Sequence, residues 1–248
     1  MTNPDRSLVT LKNVSLTYRP MRTDRSIFRP KTLGRARHEI HALRDVSLTL
    51  NEGDRIGIIG ANGAGKTTLL RVAAGIFLPS SGEAIITRDT QTLIDAGFGM
   101  SPNLSGRENA RTLGIIRGLY GQELISFIDE VGVDSGLGEF YDRAISTYST
   151  GMSTRLVFSI CTLVPPTVLI LDELLSAGDA SFQEKAITRF QSFMAEASAI
   201  VLASHSLVTI VDTCKTAIWL ESGRIVEYGE ASSVCARYSK RARGSKTN

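Results

Sequence analysis

With 248 residues, 42% of them hydrophobic and 21% charged, the chain can bury a full core as one large α/β domain, with or without a subdomain. Its net charge of +3 is too small to argue for nucleic acid, and no nucleic-acid partner is expected. The start, Met1 to Arg6, lacks an apolar secretory stretch, and Cys161, Cys214 and Cys235 are scattered without C-x-x-C spacing, so a soluble cytosolic chain with packed thiols and no metal–cysteine site is expected.

Leu8 to Tyr18 alternates in the pattern of strand, turn and strand, and the alternation resumes from Ile40 to Leu50, which predicts two antiparallel strands. Between them, about 19–39, lies an insert that from Arg19 to Arg37 carries Arg19, Arg22, Arg25, Arg29, Lys31, Arg35 and Arg37 against a single acid, Asp24. Such a run is either a solvated loop or a contact for anionic lipid headgroups or a phosphorylated ligand. The same pair of readings applies to a basic tail at about 239–248.

Arg55 to Ile59 is an apolar strand leading into Gly60-Ala61-Asn62-Gly63-Ala64-Gly65-Lys66-Thr67, which fits the G-x-x-x-x-G-K-[ST] phosphate loop. Glycines at 60, 63 and 65 allow the backbone to turn its N–H groups onto a β-phosphate at a helix N-terminus that favours anions. Lys66 adds a charge for the β/γ oxygens, and the Thr67 hydroxyl is placed to ligate Mg²⁺. Asn62, Ala64 and Thr68 complete the nucleotide-binding set. Leu69, Leu70, Val72 and Ala73 supply the buried face of the helix that follows. This chain is therefore expected to bind a nucleoside triphosphate.

After a Pro79 to Gly82 turn, Gly82 to Thr87 and Thr92 to Ile94 read as strands. From about 107 to 163 the period becomes helical, through Ile115, Ile116 and Leu119, then Leu124, Phe127, Ile128 and Val131, then Leu156, Phe158 and Ile160, which predicts an inserted helical subdomain. Within it, Tyr148-Ser149-Thr150-Gly151-Met152 precedes an apolar helix, so that Ser149 and the Gly151 backbone form a second, incomplete phosphate-binding N-terminus. With one Lys66 per chain, this element makes sense if it completes the site of another copy across a dimer interface; alternatively, Ser149 is an ordinary helix cap.

Pro165-Pro166 splits the longest apolar run, Leu156 to Leu171, which is too short for a membrane span. Val168 to Leu171 then forms a strand ending in Asp172-Glu173, where a phosphate-loop enzyme needs one carboxylate for Mg²⁺ and another to orient or deprotonate water. Ala199 to Ala203 is a further strand closed by Ser204-His205; His205 either contacts a γ-phosphate or is a surface residue. Ala217 to Leu220 is the last strong strand, with Gly223 and Gly229 marking hairpin turns. No internal repeat or low-complexity linker divides the chain, which reads as a single domain over 1–248.

Together the phosphate loop at 60–67, the element at 148–152, the acidic strand at 168–173, Asp179 and His205 resemble, in order and over nearly the whole chain, the ATP-binding cassette (ABC) ATPases. The resemblance implies a phosphate-loop NTPase fold with an antiparallel β subdomain. It also implies two subunits sandwiching two ATP head to tail, so that ATP closes the dimer and hydrolysis reopens it to move a membrane permease. Asp179 joins the nucleotide-binding set on this basis. Tyr18 is the expected adenine-stacking aromatic, with Phe28, His38 or His41 as substitutes, and Asp95 stands nearest the place of the usual Q-loop glutamine, as a candidate metal contact.

Tyr-Ser-Thr-Gly-Met stands where most members have Leu-Ser-Gly-Gly-Gln. It looks, with Leu174 to Gln183, Gly99 to Asn109 and the long insert, like the ATPase subunits of exporters of lipid-linked O-antigen, capsule or teichoic acid. The resemblance therefore implies a peripheral subunit on the cytoplasmic face of the membrane, with catalytic residues Glu173, His205 and Lys66 and an integral permease as partner. A cassette for another solute or lipid, or one with no transport role, is the alternative.

Overall fold

The computed structural model describes residues 7–19, 39–87, 90–92, 100–173 and 180–244, with side chains undescribed at 180–187 and 243–244. The chain divides into two compact units, one of residues 1–86 with 202–248 and the other of residues 87–201.

In the first unit, β1 (Ser7–Tyr18) pairs antiparallel with β2 (Ile40–Asn51) on one edge and with β4 (Ser81–Ile86) on the other. The buried residues of β1 are Val9, Leu11, Val14 and Leu16, and those of β2 are Leu43, Val46, Leu48 and Leu50. Both series skip an extra residue, where Asn13 and Asp45 take positive φ of 51° and 54°. The expected strand–turn–strand over 8–18 is thus one strand with a bulge: the turn-forming residue Asn13 tolerates left-handed backbone and re-aims the alternation without ending the pairing. Side chains close the bulge, since Asn13 N–H donates to Ser47 Oγ at 2.9 Å and Asp45 N–H to Ser15 Oγ at 3.0 Å.

The same unit holds β3 (Arg55–Ile59), parallel to β8 (Thr216–Glu221), which pairs antiparallel with β9 (Arg224–Glu230). Gly223, at φ 78°, makes the β8–β9 turn, as expected. Gly229 does not make a turn; it lies inside β9 opposite Ala217. Helices α1 (Lys66–Ala73), α6 (Leu207–Thr213) and α7 (Ala231–Gly244) complete the unit. On α1, Leu69, Leu70, Val72 and Ala73 are all buried.

Helix α7 occupies much of what reads as a basic tail. Its Tyr238 meets Trp219 edge-on at 5.3 Å between ring centres, Arg241 covers the same indole at 5.1 Å, and Arg237 and Arg241 pair with Glu227 and Glu221. Those two arginines anchor a helix to β8 and β9, so a frayed terminus does not describe them. Lys246 lies outside the described residues.

In the second unit, β5 (Thr90–Thr92) runs parallel to β6 (Val168–Asp172), with Thr90 opposite Val168. The strand expected at 92–94 therefore starts earlier, and Leu93 and Ile94 lie outside the described residues. The stretch expected to be helical contains α2 (Gly106–Ile116), α3 (Gly121–Asp134) and α4 (Thr150–Thr162), around a core of Ala110, Phe127, Val131, Leu137, Tyr141, Leu156 and Ile160. Ile115 and Ile116 are exposed, at 44% and 71%, contrary to their expected place on a buried face. The buried face of α2 is made of small residues instead: a side-chain carbon on Gly114 would come within 2.6 Å of Leu124, so helix approach replaces hydrophobic bulk there. α5 (Ala180–Glu196) follows, and its Arg189 pairs with Asp134 of α3. The division between the units falls inside β7 (Ala199–Ala203), all five residues of which are buried.

Candidate nucleotide site

The phosphate loop leaves β3 at Gly60 and enters α1 at Lys66. Gly60 and Gly65 have φ of 155° and 106°, and a Cβ on them would stand 2.3 Å from the Leu220 carbonyl oxygen and 2.6 Å from that of Ala42. No side chain other than hydrogen fits at either position. The loop is braced from behind: Gly223 N–H donates to Ala64 O at 2.9 Å, and Arg44 N–H donates to Gly223 O at 2.8 Å. The β8–β9 turn and β2 thus hold the loop in shape.

Gly65 is the N-cap of α1 and offers no side-chain cap, and the first turn contains no acid. The helix N-terminus keeps donors and a positive dipole end suited to an anion. Lys66 is buried to 8% exposure, and its ammonium donates to Gly60 O at 2.8 Å and Ala61 O at 3.1 Å, spanning the loop from within. Ala61, Asn62 and Gly63 form the exposed rim, Ala64 is buried beneath them, and Thr67 and Thr68 are half-buried.

Tyr18, at the end of β1, reaches the first turn of α1. Its hydroxyl and Thr68 Oγ1 are 3.2 Å apart, and its ring stands edge-on to Phe77 at 6.1 Å between centres. Arg71 lies 5.5 Å above the Phe77 ring, so sequence reading missed a small aromatic–cationic cluster beside the loop. Only an isolated phenylalanine after a helix marks it in the sequence. Of the substitutes for Tyr18, His41 is bonded through Nδ1 to Thr17 Oγ1 at 2.9 Å, while Phe28 and His38 lie outside the described residues.

His205 belongs to the same unit. Ser204 N–H donates to Ile58 O at 3.4 Å, which sets the exposed His205 beyond the end of β3, the end from which the phosphate loop departs. Ser204 Oγ accepts from Ser206 N–H at 3.1 Å, and Ser206 caps α6, so the imidazole is carried on a short, bonded turn.

The second unit carries the other candidates. Asp172 is the half-buried last residue of β6, and Glu173 leaves the strand exposed, with φ of 69°. Left-handed backbone at a non-glycine residue with no turn chemistry costs about 1 kcal/mol and clusters at functional positions. No sequence pattern forecasts it. Ser149 is the N-cap of α4 and accepts from Met152 N–H at 3.3 Å. A Cβ on Gly151 would meet nothing within 4 Å, and its φ is not positive, so nothing in the chain's own packing demands glycine there. Asp95 and Asp179 lie outside the described residues. Among the described residues no cluster of His, Cys, Asp and Glu could hold a metal by itself.

The ABC transporter family matches residues 43–176, from the strand that braces the phosphate loop to just past the acidic strand. The chain belongs to that family. It is 42% identical over 199 residues to the O-antigen export system ATP-binding protein RfbB of Myxococcus xanthus, covering 80% of this chain and 46% of that one. It is also 42% identical over 188 residues to O-antigen export system ATP-binding protein RfbE of Yersinia enterocolitica, covering 76% and 79%. The teichoic acids export ATP-binding protein TagH of Listeria innocua is 34% identical over 216 residues, with 87% and 64% covered. The chain thus spans about half of RfbB from Myxococcus and under two thirds of TagH. Among solved structures, the ATP-binding subunit of an ABC transporter aligns with a TM-score of 0.70 at 20% identity, over 94% of this chain and 93% of that one. An ATP-binding cassette solved as a dimer in a post-hydrolysis state with ADP and Pi aligns with a TM-score of 0.66 at 22% identity, over 90% and 98%. The fold is that of the ABC ATPases, α/β with an antiparallel β sheet and a helical insertion.

Proposed function

We propose that the chain is the ATP-hydrolysing subunit of an ABC exporter for lipid-linked polysaccharide of the O-antigen, capsule or teichoic acid kind. The observation that carries its nucleotide chemistry is the braced glycine loop with the Lys66 ammonium inside it at the uncapped start of α1. The substrate class is supported by the export systems named for its relatives.

In this reading Tyr18 stacks on adenine, and Gly60, Asn62 to Lys66 and Thr68 hold the phosphates. The half-buried Thr67 hydroxyl and the Asp172 carboxylate are hard oxygen donors that suit Mg²⁺, which keeps waters and phosphate oxygens as its other ligands and needs no all-protein cage. When bound, that ion neutralises charge on the β- and γ-phosphates. Glu173 accepts a proton from water as the water oxygen bonds to the γ-phosphorus and the bond to ADP breaks, while His205 donates to the γ-phosphate oxygens. Asp179 and Asp95 have the roles of a nucleotide contact and a metal contact. Two copies work head to tail, each Ser149 and Gly151 closing over the other copy's γ-phosphate, on the cytoplasmic face of the membrane beneath an integral permease. Among the described residues no helix is long and apolar enough to cross a membrane, which is consistent with a separate permease chain.

Ser149→Arg tests the shared site. It should abolish ATP-driven dimerisation and lower hydrolysis more than tenfold, while each copy still binds nucleotide, as read by sizing and equilibrium binding. Dimerisation at the parental concentration would remove the α4 N-terminus from the site. The export assignment is tested by purification from native membranes, where a multi-span permease and a diphosphate-linked glycan should accompany the chain. Reversal of Arg22, Arg25 and Arg29 to Glu should leave ATP binding by the isolated subunit intact but stop polysaccharide delivery, since each charge near an anionic headgroup contributes about 1 kcal/mol. Undiminished delivery at matched expression would leave the insert as a solvated loop.

A further inference from the structure

The second unit contains a hydrogen-bonded connection that neither the phosphate chemistry nor the core requires. Asn109, in the first turns of α2, is 1% exposed and its amide is fully engaged. It accepts from Ser101 N–H at 2.7 Å and donates to Ser101 O, Leu104 O and Ser105 O at 3.1, 3.3 and 2.8 Å. Ser105 closes a capping box with Glu108. The turn at 101–105 is therefore built into α2 as one rigid piece.

That turn holds the segment leading to α4. Ile145 N–H donates to Leu104 O at 3.0 Å, Ser146 N–H donates to Pro102 O at 2.8 Å, and Ser105 forms an antiparallel bridge with Ala144. Tyr148 ends the segment. Its ring packs against the helical core, its hydroxyl donates to Phe140 O at 2.7 Å, and a Cβ built on Gly106 would meet that hydroxyl at 2.7 Å. Burial raises the phenol's pKa, so the hydroxyl keeps its proton and donates it to Phe140 O. The next residue is Ser149, the N-cap of α4.

We propose that Tyr148 is a positioning residue whose hydroxyl, held between Phe140 O and the start of α2, sets the N-terminus of α4 for contact with the second copy's nucleotide. The inference rests on the reading that α4 completes that site. Tyr148 touches no nucleotide itself; it fixes the backbone from which Ser149 and Gly151 are presented. A ring of equal size without the hydroxyl would keep the packing and release the entry to α4, because the bond to Phe140 O that ties it down is lost.

The test uses the full chain carrying Glu173→Gln, so that ATP holds the dimer closed. With Tyr148→Phe, the protein concentration for half-maximal ATP-dependent dimerisation should rise about tenfold. ATP affinity of the monomer and the unfolding midpoint should stay close to parental, a split that a general loss of structure would not produce. Gly106→Ala crowds the same hydroxyl from the other side, together with the Tyr141 ring and carbonyl at 2.8 and 3.0 Å, and should shift dimerisation in the same direction even if Tyr148→Phe folds poorly. Parental dimerisation by folded Tyr148→Phe, where Ser149→Arg still blocks it, would overturn the role of the hydroxyl. Parental dimerisation by Ser149→Arg as well would instead overturn the reading of α4 on which the inference stands.

Discussion

Glu173→Gln is expected to lower ATP hydrolysis at least about a hundredfold while ATP still binds. The substitution keeps the shape of the side chain and its ability to accept and donate hydrogen bonds, but an amide oxygen cannot take the proton of the attacking water. Glu173 stands just past the end of β6 with φ of 69°, and glutamine can be held there at no greater backbone cost than glutamate. The ground-state complex should therefore persist, and ATP should accumulate a closed dimer visible by sizing. Single-turnover hydrolysis separates the chemical step from nucleotide release. A parental rate in that measurement would remove Glu173 as the general base.

Lys66→Ala should act earlier, at binding, with nucleotide affinity falling about a hundredfold, or roughly 2.7 kcal/mol. Two losses combine. The ammonium disappears as a counter-charge for the phosphates in ground and transition states alike, so hydrolysis per bound nucleotide cannot compensate. The carbonyls of Gly60 and Ala61 also lose the donor that spans the loop from within. The brace from Gly223 and Arg44 remains, so the fold should survive with an unchanged circular dichroism spectrum. Titration with a fluorescent nucleotide checks the result; unaltered affinity would place the triphosphate elsewhere.

How much of this site could be read without coordinates depends on the range of the physical constraint. The phosphate loop is legible because its demands are local: positive φ where glycine stands at 60, 63 and 65, a charge beside the last of them, an apolar strand before and an amphipathic helix after. The same holds for Val168–Asp172 and Ala199–Ala203, continuous apolar runs of strand length. Alternation and helical period are properties of consecutive residues, and so the helical character of the stretch between 107 and 163 also follows from the chain.

What the chain's order does not carry is which distant residues meet. Asn13 looks like a turn because left-handed backbone has the same chemistry in a turn and in a bulge; pairing with β2 and β4 on both edges makes it a bulge. α2 buries Ala110 and Gly114 while exposing Ile115 and Ile116, because close approach to α3 selects small residues and hydropathy does not record that selection. The basic end becomes α7 only because Trp219, Glu221 and Glu227 wait on β8 and β9 to receive Tyr238, Arg241 and Arg237. Tyr18 arrives beside Thr68, and Tyr148 beside Gly106, across separations that no local pattern spans. The sequence by itself determined that a nucleotide loop exists, since one short stretch of backbone satisfies all its steric and electrostatic conditions. Tertiary structure decided what surrounds, braces and aims that loop and α4, since those contacts are settled by packing between residues far apart in the chain.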